Sequence, residues 1–395
     1  MAYVNFREEN YVALKELNNR INNNDNIISK ITKDKSLIDY YNEARYNFKL
    51  YDGKTFNTTK VLGEDEFREV SSKDIICTTF INCNISNFHF INCRFIGCRF
   101  INCNFEGGGV LFDNCIFYLE GIKEKPSLNV NSNLSCLFER CTMYVKFNNC
   151  DLSYSIFKEC SLNNSMFSLT NISSGIVQKC DITKIIFKDV NMSSFKILDT
   201  YITDLEFEDE YLSKVNEKTF FDKIKVRKKT KQEFEGIYKT YEEYADIFKA
   251  NSLENNFGEY YYQCKVAQRK SLRGFPRVFS WIYWVICGYG ERIYYFIISS
   301  VIIMIIFAFL FLLFGIRVDN KEIAYIMQKN LPSNIGEFWF HFNHALTISI
   351  GLFSAVGVMA AEPISDMYII GNVEILIGLI ITGLGIGTLI RKLIR

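Results

Sequence analysis

From Leu152 to Phe207 a large apolar residue recurs at every fifth position: Leu152, Phe157, Leu162, Phe167, Ile172, Val177, Ile182, Phe187, Met192, Ile197, Ile202 and Phe207. The same period governs "FINCNISNFHFINCRFIGCRFINCNF" (80–105), where Phe80, Ile85, Phe90, Phe95, Phe100 and Phe105 are in register. It returns at Phe112 and Phe117, and again at Phe138 and Met143. Five-residue spacing suits neither regular element. On an α-helix it rotates successive side chains by about 140°, and on a strand it alternates them between faces. These residues share one core only if the chain turns a corner about every five residues, so that coils stack along a common axis.

The position two before each large residue is small in most repeats, and ten of the thirteen cysteines stand there (83, 93, 98, 103, 115, 136, 141, 150, 160 and 180). A buried thiol packs as a small hydrophobe. A metal site or redox relay is the rival reading, but it asks for CxxC or Cys/His clusters, and the chain contains no CxxC. The pattern from Cys77 to Phe207 resembles the pentapeptide-repeat family. That resemblance implies a right-handed square β-helix with four repeats per coil, with Phe90, Phe95, Phe100, Phe157, Phe167 and Phe187 among its core residues. About six coils at a strand spacing of about 4.8 Å make a rod on the order of 30 Å long. "EGGGV" (106–110) and "YLEGIKEKPSLNVNSN" (118–133) interrupt the register and are expected to loop out of the coil.

The formal net charge of +1 gives no global bias toward nucleic acid. Some members of the repeat family imitate DNA with an acidic surface, but residues 80–207 carry 12 acidic and 11 basic side chains, so that reading lacks its physical basis. Aromatic content of 15% with four prolines argues against disorder. No P-loop, GxGxxG or HExxH occurs, and with three histidines a hydrolase has few candidate bases, so neither enzyme activity nor a cofactor is expected. The first 70 residues hold no apolar run. A cleaved secretory signal is therefore not expected, and residues 1–72 read as a helical cytosolic segment whose compartment keeps thiols reduced.

After the repeats, "KIKVRKKTKQ" reads either as a solvated linker or as a contact with anionic lipid headgroups. Helical spacing then appears twice: at Phe234, Ile237, Tyr238, Tyr241, Tyr244, Ala245 and Phe248, and at Leu253, Phe257, Tyr260, Tyr261, Cys264 and Ala267. A helical hairpin is expected. Trp281, Tyr283, Trp284 and Tyr289 favour the bilayer interface and predict a helix lying along the membrane. Residues 293–316 carry no charge in 24 positions, and residues 367–390 carry one, Glu374, before "RKLIR". Each run is long enough to cross a bilayer, and the basic residues at their outer ends predict that both termini are cytosolic.

Between the spans lies "FNHALTISIGLFSAVGVMAAEP" (342–363), apolar but too interrupted for a full crossing. Such a segment enters a membrane only where protein or a water-filled cavity covers its backbone. Here the chain resembles the two-span, tetrameric cation-channel family. "SAVGVMAAEP" lies over that family's TTVGYGDxxP filter, with Ser354, Val356, Gly357 and Pro363 matching, and Phe342, Ala345, Leu346 and Ser349 fall where its pore helix has comparable residues. "CGYGER" and "EYYYQCKVAQRK" look like the junction in bacterial proteins that fuse pentapeptide repeats to such a channel. The departures are Ala355 at a threonine, Val358 at the tyrosine, Met359 at the second glycine and Ala360 at the aspartate. Methionine does not readily take φ > 0, so the ring of filter carbonyls is expected to be broken and potassium selectivity lost.

Glu362 reads either as a carboxylate at the outer mouth or as part of a solvated loop. Glu374 reads as a structural partner of the pore loop or as a pore-facing charge. Gly378, Gly383 and Gly385 permit either a gating bend or close helix packing. His341 and His344 suggest either packing or a metal- or pH-sensing pair. The resulting expectation is a multidomain β + α membrane protein. It has a pentapeptide-repeat β-helix (73–210), a basic linker and helical hairpin (211–274), an interfacial helix (275–292), a first span (293–316), a pore helix with filter-like loop (336–363) and a second span (367–390). The expected function is a homotetrameric channel for ions in a bacterial cell membrane, assembled or gated by its repeats, with the bilayer, its own copies, permeant ions and a cytosolic protein or ligand as partners. The alternative is a non-conducting, membrane-anchored scaffold that binds partner proteins.

Overall fold

The computed structural model describes residues 4–34, 46–119, 134–319, 321–357, 361–364 and 368–394. It divides into two compact units, residues 1–271 and 272–395.

In the first unit the five-residue period becomes a four-sided β-helix. One side is a parallel sheet of eight strands, from Leu50–Asp52 through Thr79–Ile81, Arg99–Ile101, Leu137–Glu139, Ile156–Lys158, Ile176–Gln178 and Lys196–Leu198 to Phe220–Phe221. A second side stacks seven strands from Arg68–Ser71 to Glu206–Phe207. The other two sides are short pairs and single bridges such as Asn104 with Thr142 and Asp151 with Asn171. Register keeps like over like: Phe80, Phe100, Phe138, Phe157, Val177 and Ile197 are successive partners on one side, and Phe90, Phe112, Phe147, Phe167, Phe187 and Phe207 on another. Their rings stack at 4.9 Å between Phe100 and Phe138 and again between Phe138 and Phe157.

The corners explain why the period is five. Two positions after most inward residues the backbone turns left-handed, as at Asn82, Asn87, Asn92, Gly97, Asn102, Asn114, Asn149, Asn164, Asp189 and Asp199. Asparagine, aspartate and glycine visit that region at least cost. In "EGGGV" three consecutive glycines take positive φ before the strand resumes at Val110. A Cβ on Gly108 would stand 1.8 Å from the Asn87 side chain, so no larger residue fits this detour. Tyr118–Leu119 pairs antiparallel with Leu134–Ser135, and the rest of the expected loop, 120–133, lies outside the described residues.

The β-helix is longer than the sequence pattern predicts. It begins at Leu50 rather than residue 73 and ends at Phe221 rather than residue 210. Tyr51, Phe56, Val70 and Ile75 take the inward positions of the first coil beneath Phe80, Ile85, Phe90 and Phe95, without the Cys-x-Phe signature. Eight levels, not six, separate the outermost strands by seven steps, roughly 34 Å.

Helix α1 (Phe6–Lys33) lies on the outer face of the eight-stranded side, where Ala13 and Leu17 bury Ile156, Ile176, Leu198 and Phe220. Farther along, Ile27 and Ile31 cover Ile76, Ile96 and Leu134. Glu16 of α1 pairs with Arg20 and with Lys196 of the sheet. Helices α2 (Lys231–Ala250) and α3 (Glu254–Ser271) form the expected hairpin, but it is a cap rather than a linker: Phe221 stacks on Tyr244 at 4.1 Å, and the Tyr260 hydroxyl donates to Phe221 O at 2.9 Å. The hairpin thus closes the last coil with aromatic rings and satisfies its free edge.

The second unit contains α4 (Phe275–Cys287), α5 (Ile293–Phe314), α6 (Ile335–Phe353) and α7 (Tyr368–Ile394). Helix α4 exposes Phe275 (81%), Phe279 (68%) and Trp281 (53%). Gly288, Tyr289 and Gly290 then turn left-handed in succession before α5. Helices α5 and α7 are long and apolar enough to cross a membrane, and only 33% and 28% of these segments are buried within the protein, unlike core helices of a soluble fold. After α5, Ile316–Val318 pairs antiparallel with both Lys321–Ile323 and Ala361–Pro363.

Candidate functional site

The segment between α5 and α7 begins and ends in one small sheet. Lys321–Ile323 leads toward α6, and the loop after α6 returns to Ala361–Pro363, both strands flanking Ile316–Val318. Asn334 caps α6 by accepting from Glu337 N at 2.8 Å, while Glu337 accepts from Ser333 N at 2.7 Å, a reciprocal arrangement that fixes the helix start. At the other end Ser354 Oγ donates to Ile350 O at 2.7 Å. Ala355 (φ 55) and Gly357 (φ 87) are left-handed, and the amides of Val356 and Gly357 both reach Gly351 O, at 3.1 and 3.3 Å. Left-handed Ala355 and the shared acceptor Gly351 O close the C-terminal end of α6 as a helix cap. Val356 is 85% exposed, and among the described residues nothing lies within 4 Å of a Cβ built on Gly357. The C-terminal end of α6, the negative end of its dipole, faces this loop and favours a cation there. Val358, Met359 and Ala360 lie outside the described residues.

Glu362 is exposed in Ala361–Pro363, in register with Arg317, which pairs with Glu322 at 3.4 Å. Glu374 is fully buried and bonded to Ser349 of α6. The Tyr325 hydroxyl bonds His341 Nδ1 at 3.0 Å, and His344 stands edge-on to Phe340 at 4.5 Å, so the two histidines have separate partners. Helix α7 runs unbroken through its glycines. A Cβ on Gly378 would lie 2.2 Å from Phe353 O and one on Gly385 2.4 Å from the Phe296 ring, whereas Gly383 faces open space. In this structure Gly378 and Gly385 serve close packing rather than a bend.

A second anchor was not legible in the sequence. Glu291, 1% exposed at the start of α5, accepts from Lys392 at 2.6 Å and Arg391 at 3.4 Å of α7. One carboxylate just before α5 thus meets two cations near the end of α7. Their opposite signs were the only signal, and 100 residues separate them.

The cysteines are all free and buried. Cys98, Cys136, Cys141 and Cys160 donate to Ile75 O, Phe95 O, Phe100 O and Phe138 O of the neighbouring coil at 3.0 to 3.3 Å. Ser165 and Thr170 do the same toward Met143 O and Phe147 O, which makes the small residue a core filler and a donor at once. Burial pushes the Cys77 and Cys264 thiols up to about 12. Among the described residues no group of His, Cys, Asp and Glu is placed to hold a metal ion. Buried, protonated thiols are poor nucleophiles and poor ligands.

The family model for pentapeptide repeats matches residues 76–108, in eight copies. With the stacked coils, this makes the first unit a pentapeptide-repeat β-helix. No curated protein matches the chain. Among solved structures, full-length QnrB1, described as a plasmid-mediated fluoroquinolone resistance protein, is 14% identical over 45% of this chain and 92% of its own, with a TM-score of 0.16. A trypsin-treated form of QnrB1 is 16% identical over the same shares, with a TM-score of 0.17. At those scores the likeness adds nothing to the repeat match.

Proposed function

We propose that the chain is an oligomeric, four-fold membrane channel for ions, assembled or gated by its pentapeptide-repeat unit, in a bacterial cell membrane with both termini in the cytosol. The observation that carries this reading is the return of the chain to its starting point. Strands Ile316–Val318 and Ala361–Pro363 are paired, so α6 and its loop make an excursion from the end of α5 and come back before α7 begins. Between two apolar helices, such an excursion is a re-entrant segment, which requires a wet cavity or neighbouring protein around the exposed Val356 and Gly357. Copies around an axis supply both. Exposed rings on α4 beside Arg273 and Arg277 suit the lipid interface.

Met359 at the position of the second filter glycine favours a second reading, a membrane-anchored scaffold that binds partners without conducting. The two separate in one experiment. The purified chain is reconstituted in planar bilayers, its stoichiometry is fixed by native mass spectrometry, and reversal potentials are measured under K⁺, Na⁺ and Cl⁻ gradients. A tetramer whose cation currents weaken in Glu362→Gln fits the channel. Silence from an intact oligomer transfers the assignment to the scaffold.

A further inference from the structure

We propose that Glu374 is a proton-binding site that ties α5, α6 and α7 together through one hydrogen-bonded chain. Ser349 Oγ, fully buried on α6, stands 2.9 Å from Met304 O of α5 and is also bonded to Glu374 Oε1 of α7. A serine hydroxyl carries a single proton, and a backbone carbonyl has none to give. If that proton goes to Met304 O, the contact between Ser349 and Glu374 needs a second one, and only the carboxyl can supply it. The protonated acid completes the relay: Glu374 O–H donates to Ser349 Oγ, and Ser349 O–H donates to Met304 O. An ionised Glu374 leaves two acceptors competing for one hydrogen and buries a net charge. Its Oε2 has no hydrogen-bond partner among the described residues, an arrangement far less costly for a neutral carbonyl than for an anion.

The neighbouring charges do not offset an anion. Helix α5 contains no Asp, Glu, Lys, Arg or His, and Tyr294 and Tyr295, its titratable side chains, lie in its first turn. On α6 the titratable groups are Glu337 and His341 in its first two turns and His344 at its midpoint, where it packs edge-on to Phe340; on α7 they are Tyr368 at the start and Arg391 and Lys392 at the far end. The contrast with Glu291 is instructive. It is equally buried but meets two cations, Lys392 at 2.6 Å and Arg391 at 3.4 Å.

Ser349 lies one turn before Phe353, whose carbonyl abuts Gly378, and Ser354–Gly357 follows at once. Proton occupancy of Glu374 therefore governs how firmly the base of that loop is held against α7. This rests on reading α5 and α7 as membrane-embedded, but not on conduction, and its test needs no current. Infrared spectra of the full-length protein in lipid nanodiscs are expected to show a protonated carboxylic acid band that disappears in Glu374→Gln. Thermal stability of the wild type is expected to fall as pH rises, because the native form holds a proton that the opened form releases. Glu374→Gln, whose amide also donates to Ser349, is expected to lack that component of the pH dependence, and Ser349→Ala to shift the acid band by removing its partner. Absence of the band from the wild type, or identical pH profiles for wild type and Glu374→Gln, overturns the proposal.

Discussion

Phe138 gives the sharpest test of the stacked core. It is fully buried and lies parallel to Phe100 (interplanar angle 4°) and Phe157 (5°), each with its ring centroid 4.9 Å away. Truncation of a buried Phe to Ala costs about 3–5 kcal/mol in transfer and cavity terms. Loss of two stacking partners, each worth about 0.5–1.5 kcal/mol, places Phe138→Ala toward the upper end. At about 2–4 °C per kcal/mol for a domain of 150–250 residues, 4–5 kcal/mol corresponds to a drop in Tm of about 8–20 °C. Phe138→Leu retains most of the volume but loses both ring stacks, and is expected to cost about 1–3 kcal/mol, less than Phe138→Ala. Circular dichroism melting of the solubilised protein, followed at the β-sheet signal, reads both variants. A cost below about 1 kcal/mol for Phe138→Ala would be that of an ordinary surface position and would refute the continuous ladder.

Three further outcomes follow from the geometry. The Cys77 and Cys264 thiols, raised by burial to about 12, are protonated in the native state across a range where unfolded thiols ionise. Their contribution is therefore intact below about pH 9 and is lost as pH rises toward 12, which alkaline denaturation and thiol titration with and without denaturant will register. Gly378→Ala drives a methyl into Phe353 O and is expected to cost about 1–3 kcal/mol in detergent melts. Gly383→Ala, which meets nothing within 4 Å, is expected to be neutral or to stabilise α7 by up to about 1 kcal/mol. Glu291→Gln leaves Arg391 and Lys392 facing a neutral group and is expected to destabilise the α5–α7 junction by about 1.5–3 kcal/mol, visible as earlier proteolysis at "RKLIR".

The period of five was readable because inward residues repeat at a spacing that no helix or strand shares. What escaped were positions where that spacing slips or where contacts point outward. Phe147 follows Met143 by four residues, so it drops out of a strict register, yet its ring stacks on Phe112 at 4.8 Å. The covering of the eight-stranded side by α1 involves Ile156, Ile176 and Leu198, each one position from an inward residue and thus hidden beneath the stronger signal. Tyr51 and Phe56 open the first coil five residues apart, but Lys49 and Lys54 stand two places before them where later repeats have cysteine, so the signature is missing. In the second unit the two long apolar helices were legible from charge-free length. The bond between Ser349 and Glu374 was not, since 25 residues and a change of direction separate them.

The central claim, that the Ser354–Gly357 loop borders an ion path, is best tested at Val356. The thirteen native cysteines are buried, so Val356→Cys introduces one exposed thiol into an otherwise unreactive background. A membrane-impermeant, charged thiosulfonate is applied to either side of bilayers containing the reconstituted variant. The account predicts that reagent on the side opposite the repeats reduces the current irreversibly and leaves the wild type untouched. Currents indifferent to a thiol shown by mass spectrometry to be modified, or no current from an intact oligomer, would contradict it.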